Sequence, residues 1–278
     1  MSSGSRRFRR RRLLLVTGAT GFVGRHLVSG AATRRWELIA PPSSSMDVTQ
    51  RDSVLSTIGD WKPDAVIHLA YRKGDRRSIV DGSRHVAEGA AAVGARLVHM
   101  STDVVFPGAI SPYRETDPPR PIIDYGVDKF DAERAVADAA PDAVVVRTSL
   151  VYGTDHLSSS QVDLRDWLRG PAEHTPVAFF TDEIRCPVHA ADLAAALAEL
   201  ADRRDVSGPL HVTGPEAVHR HDLALRFARH LGLEGRVGAI RSSTVAESGL
   251  VRPTRIELDV SAAAELGIRC RPVSAVLP

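Results

Sequence analysis

The segment Val16-Thr17-Gly18-Ala19-Thr20-Gly21-Phe22-Val23-Gly24 constrains this chain more than any other, because it follows the apolar run at 13–16 and opens a stretch of helical character. A strand running into a glycine turn and then a helix lets a pyrophosphate approach bare backbone. There the unpaired N–H groups of the helix N-terminus and its positive dipole end converge. The spacing of Gly18, Gly21 and Gly24 is weak by itself, since glycine turns are common. Its position directly after the first strand makes it a dinucleotide fingerprint, with Thr20, Phe22 and Val23 as further candidate cofactor contacts.

The rest of the chain repeats the same alternation. Short apolar runs at 13–17, 37–40, 65–69, 97–101, 143–148 and 210–212 are separated by helix-length segments. A parallel sheet buried on both faces reads this way. Between the runs, the alanine-rich stretches 86–93, 131–140 and 190–201 have helix-forming composition. The alternation predicts an α/β protein, a doubly wound parallel sheet of Rossmann type with a smaller interleaved C-terminal substrate lobe. The expected division is a basic tail at 1–12, an NAD(P)-binding domain at 13–153 that also takes in about 186–213, and a substrate-binding lobe at 154–185 and 214–278. The serine runs 43–45 and 158–160 read as loops, and the segment 170–176 is polar and proline-containing.

With 278 residues and 43% hydrophobic content, the chain can bury a sizeable core. The net charge of +2 owes much to Arg6, Arg7, Arg9, Arg10, Arg11 and Arg12, so the remainder is mildly acidic. Such a run reads as a solvated tail rather than a nucleic-acid or membrane contact. The apolar segment at 13–16 meets Gly18 too soon to form an export signal, and no run approaches the ~18 apolar residues of a membrane span. Cytoplasm is the default expectation, with no nucleic-acid or membrane partner. Cys186 and Cys270 are the only cysteines and lack ligand spacing. His219 and His221 lie two apart in a segment with helical character, where they point in different directions, so no metal site is expected.

Tyr125 and Lys129 are four apart and share one face if helical. A phenol is a poor acid at neutral pH, and a neighbouring ammonium lowers its pKa toward the working range. Ligands of open α/β sheets collect beyond the carboxyl ends of strands. That places Leu69 and Ala70 beside a cofactor and the Thr102 hydroxyl near a substrate carbonyl; the alternative for Thr102 is capping the turn that follows. The second strand ends without a carboxylate in Ala40-Pro41-Pro42-Ser43-Ser44-Ser45. Nothing there repels a 2′-phosphate and Ser43 can bond one, with Arg25 in possible reach, so NADPH is favoured slightly over NADH. Asp47 and Val48 border the adenine, unless Asp47 is a plain helix N-cap.

These residues together resemble the extended short-chain dehydrogenase/reductases, and more narrowly the dTDP-4-dehydrorhamnose reductase branch of nucleotide-sugar enzymes. The resemblance runs from about Leu13 to the C-terminus. It is carried by residues 18–24, Ser101-Thr102-Asp103-Val104-Val105-Phe106, Tyr125-Gly126-Val127-Asp128-Lys129 and Arg147-Thr148-Ser149-Leu150-Val151-Tyr152-Gly153, with echoes at 186–194 and in Arg252-Pro253. It implies that Thr102 polarises a carbonyl, Tyr125 donates the proton, and Lys129 bonds the nicotinamide ribose while lowering the Tyr125 pKa. Asp103, Val104 and Arg252 are the candidate substrate contacts; Arg165, Arg169, Arg185 and Arg255 are further arginines suited to a diphosphate. Dehydratases of this superfamily carry an Asp-Glu pair after the hydroxyl residue, whereas Val104 follows Asp103 here. Net reduction of a ketone remains, most simply of a nucleotide-linked 4-keto sugar, in an enzyme that can pair as a homodimer.

Two departures stand out. The segment between Ala70 and Gly82 is shorter than usual for the branch, with Tyr71-Arg72-Lys73-Gly74-Asp75-Arg76-Arg77 in place of a Thr-Ala-Val-Asp-like stretch, and Ile79 stands where an asparagine is common. Both fall near the substrate or proton-relay route. They keep two alternatives open: reduction of a non-sugar carbonyl, and a non-catalytic cofactor-binding regulatory subunit like that of methionine adenosyltransferase.

Overall fold

The computed structural model describes residues 11–30, 33–109, 111–170 and 177–278. Arg6, Arg7, Arg9 and Arg10, and most of the polar stretch 170–176, lie outside the described residues. Strand β1 (Arg12–Thr17) runs through the glycine turn into α1 (Phe22–Ser29) and β2 (Trp36–Ile39). Then α2 (Arg51–Trp61) returns the chain to β3 (Ala65–His68), α3 (Gly82–Val93) to β4 (Arg96–Thr102), and α4 (Asp124–Ala139) to β5 (Val144–Thr148). Next come β6 (Val151–Tyr152), α5 (Ser159–Arg169), β7 (Ala178–Phe180), β8 (Ile184–Arg185) and β9 (Val188–His189). Helix α6 (Ala190–Asp202) leads back to the last sheet strand, β10 (Gly208–His211). The chain finishes with β11 (Val218–His219), α7 (Arg220–His230), β12 (Arg241–Ser243), α8 (Val245–Ser248) and α9 (Ser261–Glu265).

The sheet has the order β10-β5-β4-β3-β1-β2, and every neighbouring pair is parallel. Helices α1 and α6 cover one face over Leu14, Val16, Ile67 and Val98, while α2 and α3 cover the other over Leu15, Val66 and Leu97. Double-sided burial is why these strands read as unbroken apolar runs. The order reverses at β1, with β2 on one side and β3, β4 and β5 on the other. A crevice therefore opens beyond the carboxyl ends of β1 and β3.

Helix α4 is tied down by a buried ion pair. Arg147 of β5 and Glu133 of α4 are 3% and 6% exposed and meet at 2.8 Å, with a second guanidinium nitrogen also bonded to the carboxylate. Ser101 of β4 donates to the same carboxylate at 2.5 Å. Outside the sheet, α5 packs with α7 around Leu164, Leu168 and Phe227. Val273 and Leu277 near the C-terminus bury against Tyr152 and Val218.

Two local expectations change. Arg11 and Arg12 do not belong to a solvated tail: Arg12 opens β1 opposite Trp36, with its guanidinium 4.2 Å over that ring and an ion pair to Asp202, and Arg11 donates to the Arg34 carbonyl. The Trp36 ring and the Asp202 carboxylate hold Arg12 in place. The serines at 158–160 are not simply loop, since Ser158 and Gln161 form a reciprocal capping box that starts α5. Among the described residues, no helix is long and apolar enough to cross a membrane.

Candidate active site

A cleft of about 760 Å³ fills the crevice, with the glycine turn as its floor. Gly18 has φ +69°, and a Cβ on it would stand 2.8 Å from the Ala70 nitrogen; a Cβ on Gly24 would collide with the Gly18 carbonyl. Helix α1 therefore sits directly on the turn. Its N-cap, Gly21, offers no side-chain bond to the first-turn N–H groups, which stay available to an anion. Gly24→Ala is expected to weaken dinucleotide binding at least tenfold, about 1.4 kcal/mol, in a fluorescence titration. An unchanged Kd would show that the turn is not the cradle.

Most of the sequence-predicted cofactor residues come together here. Gly18, Thr20, Gly21, Phe22, Val23 and Gly24 line the cleft, as do Ser43, Asp47 and Val48 on one side and Leu69 and Ala70 on another. Asp47 is no helix cap, because Gln50 holds that place; its carboxylate accepts from the Thr49 backbone N–H and hydroxyl, which keep its pKa below the ordinary value. Arg25 is not brought to the cleft: its Nε is spent on the Thr20 carbonyl at 2.8 Å. Sequence reasoning passed over Tyr71, Arg72 and Lys73, which line the wall just beyond Ala70. Their position past the end of β3 was the available signal.

Beneath the cleft the strand ends are locked by one chain of hydrogen bonds. The Thr17 hydroxyl accepts from the Leu69 and Ala70 N–H groups, each at 3.1 Å, and lies 2.7 Å from His68 Nδ1. With its acceptor capacity used, it donates to Nδ1, so His68 carries its proton on Nε2 and donates to Ser83. Burial, helped by the Lys129 charge, holds the His68 pKa down at about 3, and burial lowers that of the stacked His99 as well. The unfolded chain takes up a proton on each imidazole as pH falls below about 6.5, whereas the folded chain does not. Stability is therefore expected to fall between pH 6.5 and 5 by about 1.4 kcal/mol per pH unit for each fully neutral imidazole. Urea unfolding across that range checks this, and His68→Asn should remove one share of the slope.

Tyr125 and Lys129 of α4 do not line the cleft themselves but contact two residues that do, Tyr71 and Met100. Lys129, 4% exposed, donates to the Met100 carbonyl at 2.7 Å and lies 5.3 Å from the Tyr71 ring centre. Burial lowers its pKa to about 8, against the raising effect of Glu133 one turn on. The Tyr125 hydroxyl donates to that of Tyr71 at 3.4 Å. Burial, followed by Tyr71, raises the Tyr125 pKa, the reverse of the lowering expected from Lys129. The shared helix face is real, but the ammonium is committed to Met100 and desolvation of the phenol dominates. Tyr125 is thus a neutral O–H donor.

Thr102 caps the turn 103–105, accepting from the Val104 N–H at 3.4 Å, and its hydroxyl donates to Asp103 at 3.3 Å. That turn presses on α4 at Gly126, where a Cβ would collide with the Val104 carbonyl. Only glycine lets the turn carrying Thr102 lie this close to Tyr125. Asp103 faces protein partners. It is 4% exposed, takes a 2.6 Å bond from Ser149 and lies 3.6 Å from Arg185, as a buried carboxylate must be satisfied. Four of the five expected arginines are paired within the protein. Arg252 makes a two-pronged contact with the buried Glu183 at 2.9 and 3.2 Å, Arg185 is 2% exposed between Glu183 and Asp103, and Arg165 and Arg255 pair with Asp166 and Glu257. His219 ends β11 and His221 lies within α7; among the described residues no cluster of three or more acidic, histidine or cysteine side chains could hold a metal.

A doubly wound sheet with a glycine cradle at its switch point defines a dinucleotide-binding protein of the Rossmann class. Over residues 11–275 the chain matches the model of the RmlD substrate binding domain, and it belongs to that family. It is 31% identical to methionine adenosyltransferase 2 subunit beta of Pongo abelii, across 92% of this chain and 83% of that protein. To the dTDP-4-dehydrorhamnose reductase of Mycolicibacterium smegmatis it is 35% identical, across 76% of this chain and 67% of that protein. The crystal structure of a dTDP-4-dehydrorhamnose reductase from Bacillus anthracis str. Ames in complex with NADP superposes with a TM-score of 0.85 and 23% identity, covering 96% of this chain and 98% of that one, which is a likeness of fold.

Proposed function

We propose that this protein is an NAD(P)H-dependent reductase of a ketone, with a nucleotide-linked 4-keto sugar as its substrate. The observation that carries the reading is the junction of the dinucleotide cleft with the neutral Tyr125 phenol and the buried Lys129 ammonium. Bound reduced nicotinamide would supply the hydride for the carbonyl carbon. The glycine turn at 18–24 would hold the pyrophosphate, and Asp47 and Val48 would border the adenine. Tyr125 would give its proton to the carbonyl oxygen, Thr102 would orient that oxygen, and Lys129 would hold the ribose and favour charge developing on the phenol. The absence of a carboxylate at the end of β2, with Ser43, Arg72 and Lys73 on the cleft wall, supports NADPH over NADH. The lobe at 154–185 and 214–278 would close over the sugar nucleotide.

The test is titration with NADPH and NADH by fluorescence, followed by cofactor oxidation with a panel of nucleotide-linked 4-keto sugars. Oxidation with one of them supports the reading. Oxidation only with simple carbonyls would move the substrate outside nucleotide sugars. A second reading, a cofactor-binding regulatory subunit, is favoured by one observation: the identity to methionine adenosyltransferase 2 subunit beta extends over 92% of this chain. Tight cofactor binding without turnover, together with retention of a methionine adenosyltransferase catalytic subunit on the immobilised protein, would select it.

A further inference from the structure

We propose that Tyr71 is the positioning residue through which Tyr125 regains its proton after each turnover, making a two-phenol path from the half-buried donor to the open cleft. This rests on the reductase reading above. The Tyr71 hydroxyl is 3.4 Å from that of Tyr125, and the two rings lie 6.0 Å apart at 32°. Tyr71 is 39% exposed in the cofactor cleft while Tyr125 is half-buried, so Tyr71 is the more open end of the pair. Apart from Tyr71, the side chains bordering the Tyr125 ring are apolar. Its ring packs on Ile79, Val80 and Ala132, with Ile79 1% exposed. Lys129 is charged but sealed from solvent and directs its ammonium at the Met100 carbonyl.

The balance is simple. The carbonyl carbon takes a hydride from the C4–H bond of bound NADPH, which becomes NADP+, while the C=O π bond and the Tyr125 O–H break and the alcohol C–H and O–H form. Tyr125 then takes the proton of the Tyr71 O–H once the hydrogen bond between the two hydroxyls has reversed its sense, and Tyr71 takes one from a water or buffer acid in the cleft. One solvent proton is consumed per ketone reduced, and both phenols end neutral. The exposed phenol also keeps its ring over Lys129, so Tyr71→Phe removes the hydroxyl while preserving that cation–π contact.

The experiment compares wild type and Tyr71→Phe, with fluorescence titration of NADPH as the check that the variant folds and binds. The expected result is a fall in kcat of about tenfold, at the low end of what proton transfer contributes, with KM for the sugar nucleotide within twofold. In the variant, kcat should rise with the concentration of imidazolium buffer and its solvent deuterium isotope effect should grow; wild type should respond to neither. Wild-type kcat in Tyr71→Phe overturns the proposal. So does a loss in kcat with no buffer response and an unchanged isotope effect, which would make Tyr71 only a wall of the cleft. If wild type turns over no carbonyl, the reductase reading fails first and takes this one with it. Turnover in wild type that Tyr125→Phe abolishes but Tyr71→Phe leaves intact sinks the relay alone.

Discussion

Tyr125→Phe is expected to lower kcat for ketone reduction by about 10³-fold while leaving the NADPH affinity unchanged. The phenol is a neutral O–H beside the cleft residue Tyr71, and its pKa is raised by burial, so it remains a donor across the physiological range. Phenylalanine keeps the ring against Ile79 and Val80 and removes only the proton. Stopped-flow oxidation of NADPH measures the loss, and a fall smaller than tenfold would mean that another group donates. The pH profile follows from Lys129, whose pKa is lowered to about 8. Its ammonium is present below that value and lost above it, so kcat/KM should be level through neutral pH and decline as pH rises through about 8. Lys129→Met should be as impaired as Tyr125→Phe and show no such decline.

Arg147→Met is expected to destabilise the protein by about 3–5 kcal/mol, because it leaves the Glu133 carboxylate buried without its guanidinium. The pair is among the most enclosed in the molecule, at 3% and 6% exposure, and Ser101 supplies only one further bond. For a chain of this size the loss corresponds to a Tm roughly 10 °C lower. The double variant Glu133→Leu, Arg147→Met should recover most of it, since desolvation of both charges then disappears along with their attraction. Urea unfolding of the single and double variants measures both effects. A single-variant loss under about 1 kcal/mol would place the pair in the class of surface ion pairs. Because Glu133 also raises the Lys129 pKa from one turn away, Glu133→Gln should shift the alkaline limb of the activity profile to lower pH.

Much of this molecule was legible before its structure. The five apolar runs from 13 to 148 and the run at 210–212 became the six sheet strands, with ends displaced by one or two residues, because burial on both faces leaves a strand no polar side to blur the pattern. The glycine cradle was legible for a similar reason: Gly18 and Gly24 stand where any side chain would strike backbone. Asp103 and Arg252 have protein partners that the sequence did not show. Nothing local distinguishes a carboxylate or guanidinium facing a ligand from one facing a buried partner far away in sequence, such as Arg185 for Asp103 or Glu183 for Arg252.

What the sequence by itself determined, then, is the order of strands and helices, the backbone cradle and the Tyr125–Lys129 register, all of them set by periods and contacts within a few residues. Only the tertiary structure decided which charges are spent on one another, that Lys129 is held by Met100, and that Tyr71 crosses from the end of β3 to meet Tyr125 on α4. Those outcomes depend on desolvation and on distances between segments tens of residues apart, and neither quantity is written in local sequence.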